Sequence, residues 1–436
     1  MILDERQARA ILEKALRLSK AEECTVRLNG RTSGNIRYAR NTVTTAGTQE
    51  NTSLSVASSF GKRTGNASIN ELDDASIERA VRRSEELARL APENPEHMGL
   101  LGPQTFTPTP AYFESTASIT PEYRAEVAAA GILPAKEKDC TAAGFLNDGA
   151  GFSSMLNSKG LFAYHRSSDV DFSLTVRTSD GSGSGYVTRD ANDVRKFDAK
   201  SASAIALEKA VASRNPRAIE PGKYTVILEP EASVELIQNM MGFDARNAEE
   251  GRSWLAAPGG GTRLGQKLMD ERVTIYSDPA NPEVPASPWS GDGQARKRTM
   301  WIEKGVVKNL AYSRYWAEKQ GKEPLPGPAN IIMEGGTESL EDLIRGTRRG
   351  ILLTRTWYIR TVDPQTLLYT GLTRDGTFYI EDGQIRHAVK NFRFNESPVI
   401  MLNNLDALGR PERIRGNLIP PMRVRDFTFT SLSDAI

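Results

Sequence analysis

Apolar and polar residues follow two periods along this chain, and the switches between them mark its elements. Near the N-terminus Ala8, Ile11, Leu12, Ala15 and Leu16 fall at i, i+3, i+4, i+7 and i+8. That stripe predicts an amphipathic helix packed on a sheet. Strand-like runs follow at 24–28, 35–39 and 52–60, the last turning at Gly61-Lys62-Arg63 into 64–69. A second helix is expected to open at Asp73 or Asp74, either of which can cap exposed amides. It runs to about Leu90, with Ile77, Ala80, Val81 and Leu87 on one face.

Prolines at 92, 95, 103, 108 and 110 then interrupt the pattern. Proline removes a backbone donor and disfavours helix in the residue before it, so 91–110 reads as a linker. Beyond it a helix around 121–130 leads to short strands near 142–146, 152–156, 161–166 and 172–176. A Ser/Gly-rich loop at 179–185, a strand at 186–188 and a helix at about 198–211 complete this second unit. After a break at 215–222, residues 224–228 form a continuous apolar run typical of a strand buried on both faces, and Pro230 starts a helix at its first turn. From 273 onward strands dominate, at 273–276, 299–302, 306–310, 350–360, 377–381, 384–390 and 424–430. Turn signals such as Arg374-Asp375-Gly376 and Glu381-Asp382-Gly383 separate them. The expected fold is α+β, with N-terminal helix/sheet modules followed by a largely antiparallel β-sheet C-terminal domain. The expected domains are 1–92, 111–215 and 222–436.

A length of 436 residues fits two or three domains. With 56 basic and 55 acidic side chains the formal charge is +1, which gives no long-range field for a nucleic-acid backbone or an anionic membrane. The basic clusters Arg296-Lys297-Arg298 and Arg413, Arg415, Arg423, Arg425 read as solvated surface. The start, Met1-Ile2-Leu3-Asp4-Glu5-Arg6, carries acids where a secretory signal needs positive charge. No apolar run approaches the ~20 residues of a membrane-spanning helix. Cys24 and Cys140 are too few for a disulfide framework or a zinc cluster, so a cytoplasmic setting is expected.

Local motifs give little chemistry. His97, His165 and His387 are the only histidines, and no two are close enough in sequence to form a helical ligand pair. There is no Gly-x-Ser-x-Gly elbow, and Ala257-Pro258-Gly259-Gly260-Gly261-Thr262 matches neither a Walker loop nor a dinucleotide fingerprint. It reads as a mobile loop, with a peptide-contacting lid as the functional alternative. Glu235, Asp244, Glu249 and Glu250 could make an all-oxygen metal site, but Arg246 and Arg252 interleave with them and ion-paired surface is the more economical account.

The buried strand, the proline-started helix and the later block Gly350-Ile-Leu-Leu-Thr-Arg-Thr-Trp-Tyr-Ile-Arg360 resemble the TldD/TldE family, also called PmbA or modulator of DNA gyrase. Val362-Asp363-Pro364, the run from Thr370 to Phe378, the run from Ile380 to Ile385 and the run from Ala388 to Asn395 are similar to its TldE branch. In the TldD branch the helix carries His-Glu-x-x-x-His, with a cysteine near the C-terminus completing a metal site. Placed on this chain through Gly242, that pattern puts Gln238 at the first histidine, Asn239 at the glutamate and Phe243 at the second. The tail from Arg413 to Ile436 has no cysteine. An amide binds zinc poorly, a phenyl ring not at all, and asparagine cannot act as a general base.

The resemblance therefore implies a chain with no catalytic residue and no metal or other cofactor of its own. It implies a TldE-like subunit that pairs with a TldD-like catalytic subunit in the cytoplasm to process extended or unfolded peptide, with a homodimer as the form open to it when isolated. It implies no direct nucleic acid contact and no membrane. The alternatives are a stand-alone hydrolase with a relocated metal site at Glu235, Asp244 or Glu249, and a regulatory binding protein linked to DNA gyrase.

Overall fold

The structure, a computed structural model, describes residues 2–433; Met1 and the last three residues of the cysteine-free tail lie outside the described residues. Helix α1 (Glu5–Leu18) begins where Asp4 accepts the Gln7 amide at 2.8 Å and the Gln7 side chain accepts the Asp4 amide at 2.9 Å. This reciprocal cap satisfies two donors that the helix leaves open. The predicted stripe then buries Ala8, Leu12 and Ala15 completely. Strands β1 (Glu23–Ala39), β2 (Thr42–Phe60) and β3 (Arg63–Ile69) lead to α2 (Asp74–Leu90), which Asp73 caps. After the linker come α3 (Glu114–Ala117), α4 (Pro121–Glu137), β4 (Cys140–Asn157), β5 (Phe162–Thr178), β6 (Ser184–Ala191) and α5 (Ala199–Ala212).

These strands form one antiparallel sheet in the order β3-β2-β1-β4-β5-β6. Pairing of β1 with β4, from Thr25 opposite Asn157 to Tyr38 opposite Gly144, joins the two N-terminal units edge to edge. The helices cover one face, over Val26, Leu28, Leu54, Leu146, Phe172 and Leu174. The other face is largely polar apart from Met155 and Ala163, which pack with Leu161, Phe106 and Trp289, and there Arg31 reaches Asp169 through two bonds of 2.7 and 2.8 Å. Strand β3 pairs only with Leu54–Phe60, so the outer margin of β2 over 42–53 has no neighbouring strand among the described residues.

The strands are longer than the sequence pattern predicts. The runs expected at 24–28 and 35–39 are one strand, and the four expected between 142 and 176 are two. Glycines and serines such as Gly30, Ser33, Gly149 and Gly151 read as breaks, but neighbouring strands on both sides supply the backbone hydrogen bonds that keep them extended. At Gly34 an added Cβ would meet the Arg124 guanidinium at 1.8 Å. That guanidinium, carried by α4, grips Asp148 through bonds of 2.7 and 2.8 Å, and both residues are buried. Helix α4 likewise outruns the expected 121–130, through Pro134 to Glu137, because Val127, Ala128, Ile132 and Ala135 are buried against the sheet.

The C-terminal half contains β7 (Lys223–Leu228), α6 (Pro230–Met240), α7 (Ala245–Glu249), β8 (Ile275–Ser277), β9 (Thr299–Glu303), β10 (Val306–Val307) and β11 (Ile332–Met333). It continues with β12 (Arg349–Leu353), β13 (Thr356–Asp363), β14 (Leu368–Thr373), β15 (Thr377–Glu381), β16 (Gln384–Ala388) and β17 (Phe392–Glu396). Strands β18 (Leu405–Leu408), β19 (Glu412–Ile414), β20 (Asn417–Ile419) and β21 (Met422–Leu432) close it. A six-stranded sheet has the order β10-β9-β8-β11-β20-β19, and a nine-stranded sheet the order β13-β14-β17-β21-β7-β12-β15-β16, with β18 beside β21.

The expected α+β class holds, and antiparallel pairs dominate. Two pairs, β7 with β12 and β11 with β20, are parallel. Strand β7 lies between β12 and β21, which explains why Val226, Ile227 and Leu228 are apolar in succession and fully buried. The run expected at 350–360 divides at Thr354-Arg355 into β12 and β13, which pair with different neighbours. No helix among the described residues is long and apolar enough to cross a membrane.

The proline-rich linker has no helix or strand over 91–110, yet it is no free tether. Glu96 accepts from Arg246 at 2.9 Å, the Gly99 carbonyl from Arg314 at 2.6 Å, and the Leu101 carbonyl from Asn157 at 2.8 Å. It therefore lies along the seam between the N-terminal sheet and the C-terminal half.

Candidate functional site

Helix α6 follows β7 directly, and Pro230 sets its first turn with the backbone angle already helical. Val234, Leu236, Ile237 and Met240 face the core, which leaves Gln238 half-buried and Asn239 exposed. Neither side-chain amide makes a hydrogen bond among the described residues, and both lie off the core face of the helix. The helix stops at Met240, and Gly242 turns the chain so that Phe243 leaves the helix and enters the core. Its ring stacks on Trp301 at 5.1 Å and meets Trp254 edge-on at 5.9 Å. Its backbone is also fixed, since the Phe243 carbonyl accepts the Ala311 amide at 2.7 Å.

The acids of the alternative metal site do not converge. Asp244 caps α7 by accepting the Asn247 amide at 2.6 Å. Glu249 accepts from the Tyr312 hydroxyl at 2.7 Å and the Trp316 indole at 2.6 Å, and burial helps push the Tyr312 hydroxyl up to about 12. Glu250 pairs with Arg246 and Arg252, as ion-paired surface. Glu235 is half-buried on α6. Among the described residues no three His, Cys, Asp or Glu side chains are placed to share a metal ion.

The histidines are dispersed. His97 lies 3.8 Å from Glu23, His165 sits edge-on to Trp289, and His387 packs on Tyr379. Both cysteines are buried and free. The glycine-rich segment is a turn closed by the Ala257 amide on the Gly261 carbonyl at 2.9 Å.

One constellation was not legible in the sequence. Glu231, in the first turn of α6, is buried and pairs with Arg415, while its second carboxylate oxygen has no partner. Burial raises its pKa and Arg415 opposes that shift. Beside it Arg355 lies over the Tyr186 ring at 3.6 Å and donates to buried Asp375 at 2.6 Å, which also accepts from Ser184 at 2.6 Å. Arg413 donates to Asp190 at 2.7 Å, and Arg423 to Asp406 at 2.6 Å. The reading of Arg413 and Arg423 as solvated surface is thus corrected, since both are half-buried and ion-paired, whereas Arg415 is exposed although it pairs with Glu231. Arg425 is exposed. The cluster ties β6 to the start of α6.

This architecture is shared with solved structures. TldE from Thermococcus kodakarensis superposes with a TM-score of 0.86 at 18% identity, covering 97% of this chain and 99% of that one. A proposed modulator of DNA gyrase from Thermotoga maritima gives 0.87 at 16% identity, covering 97% and 100%. At such identities the likeness is one of fold.

Sequence carries the identification further. The models for the PmbA/TldA metallopeptidase domain 1, central domain and C-terminal domain match residues 24–88, 114–214 and 221–431. The chain belongs to the PmbA/TldD metallopeptidase family. A protein named metalloprotease from Methanothermobacter thermautotrophicus is 25% identical over 287 residues, 60% of this chain and 61% of that protein. An uncharacterized protein of Methanocaldococcus jannaschii is 28% identical over 207 residues, 44% of this chain and 47% of that protein. The chain spans about half to three-fifths of the length of these curated relatives.

A metallopeptidase fold implies a catalytic metal, and the side chains of α6 and of the turn after it do not fit one. Gln238 offers a neutral amide, Asn239 has no basic oxygen, and Phe243 has no donor atom and is committed to an aromatic cluster.

Proposed function

We propose that this chain is the non-catalytic, TldE-like subunit of a cytoplasmic TldD/TldE-type metallopeptidase. It pairs with a TldD-like catalytic chain and helps to enclose the path of an extended peptide. One observation carries the reading: where the resemblance calls for a metal-binding helix, the Gln238 and Asn239 side chains lie off the core face with no hydrogen bond among the described residues, and Phe243 fills the core. Exposed strand margins in the C-terminal half, such as the outer side of β13, suit backbone hydrogen bonds to an unfolded substrate.

The test mixes the purified chain with zinc and an unfolded peptide, with and without a TldD-like partner. Cleavage is expected only in the mixture. Cleavage by this chain alone, or one equivalent of transition metal in elemental analysis of the isolated protein, would return the relocated-site hydrolase to first place.

A further inference from the structure

Two cavities of about 420 and 440 Å³ lie side by side on the C-terminal half, with Lys297, Thr299, Pro324 and Leu325 as their shared wall. The cluster Arg296-Lys297-Arg298 leads directly into β9 and is distributed between them. Arg296 lines the first, Lys297 both and Arg298 the second, where Lys322 joins it. None of these four cations has a carboxylate within ion-pair distance among the described residues. Arg298 rests on the Tyr276 ring at 4.4 Å, and the Arg296 Nε is buried with no hydrogen-bond partner. Burial lowers the pKa of Arg296, so a counter-charge there would be gained at a site already desolvated. Glu323 is the sole acid on either wall.

The walls are built before any ligand arrives. Tyr312 and Leu325 exchange two backbone bonds of 3.0 Å, and Asn309 holds the Met300 carbonyl at 2.7 Å. Leu264, two residues beyond the glycine-rich segment, borders the second cavity. Gly259, Gly260 and Gly261 of that segment, and Gly265 next to Leu264, all take positive φ and have open space around them.

We propose that this double cavity binds an acidic peptide segment in extended conformation. Its carboxylates meet Arg296, Lys297, Arg298 and Lys322, and its intervening apolar side chains rest on Leu264 and Leu325. A strand alternates its side chains, so one extended peptide can offer acidic groups to the cations and apolar groups to the leucines. A nucleic-acid backbone fits less well, because a chain of net charge +1 lacks the field that holds a continuous phosphate track. The proposal names a peptide class for the subunit put forward above and leans on that reading. It is tested by binding to this chain alone, so its failure leaves the partner experiment untouched.

Fluorescence anisotropy of the full chain would use a short labelled peptide alternating glutamate with valine, its glutamine and lysine counterparts, and a labelled single-stranded DNA. The glutamate peptide is expected to bind at least about tenfold more tightly than the glutamine one, more weakly as salt rises, while the lysine peptide does not bind. The exposed pair Lys297→Glu/Arg298→Glu should lose about tenfold in affinity with an unchanged melting temperature. Lys322→Glu, on a separate loop, should lose affinity as well and serves if the pair fails to fold. Equal binding of the glutamate and glutamine peptides, or full affinity in the folded variants, would overturn the proposal; so would tighter binding of the DNA, competed off by excess salt.

Discussion

At the scale of single residues, Phe243 decides what α6 can do. A ring held at 5.1 Å from Trp301 and 5.9 Å from Trp254 is core material, so Phe243→Ala should cost about 3–5 kcal/mol, read from the urea midpoint. Restoring the motif as Gln238→His, Asn239→Glu and Phe243→His should not yield stoichiometric zinc by elemental analysis, because residue 243 lies beyond the helix and points into that cluster, while 238 is half-buried on the helix outside it. Glu396 offers a second test. Burial raises its carboxyl to about 7 from 4.5, although the Ser397 and Thr428 amides donate to it and oppose the shift. Between those values the folded chain holds a proton that the unfolded chain has released. The stability this group contributes is therefore present below the lower value and lost as pH rises to the upper one, at up to about 1.4 kcal/mol per unit. Glu396→Gln should remove this slope from denaturation curves and leave the variant relatively more stable above pH 7.

At the scale of elements, the Arg124–Asp148 pair fastens α4 to the sheet. Asp148→Ala leaves a buried guanidinium unpaired and should cost about 3–5 kcal/mol in chemical denaturation. Gly34→Ala pushes a methyl into the same guanidinium and should cost about 1–3 kcal/mol. Such contacts also mark the limit of what the chain reveals by itself. Helices α1 and α2, strand β7 and the start of α6 were legible, since their caps, periodicity and Pro230 act within a few residues. The length of β1, β4 and β5 was not, because it depends on neighbours paired across more than a hundred positions. The charged cluster of Glu231, Arg355 and Arg415 was hidden for the same reason. Gln238, Asn239 and Phe243 stood out only through the family resemblance, and that Phe243 is core follows from Trp254 and Trp301, which no local pattern connects to it.

At the scale of the whole molecule, polar contacts of buried Asp375 and half-buried Asp190 join the N-terminal sheet to the C-terminal half. Asp375 takes Arg355 from its own half and Ser184 from the sheet, and Asp190 takes Arg413 and the Gly416 amide. Asp375→Ala should destabilise the chain by about 3–5 kcal/mol and split its calorimetric transition into two; one unshifted transition would show that the seam carries no coupling. The margin of β2 that has no neighbouring strand among the described residues reaches further. Residues 42–49 are exposed and contain neither proline nor lysine, the usual guards of such a margin. Produced in excess and concentrated, the chain will turn turbid well below its melting temperature, and Gln49→Lys should clear the solution while moving stability by no more than about 0.5 kcal/mol.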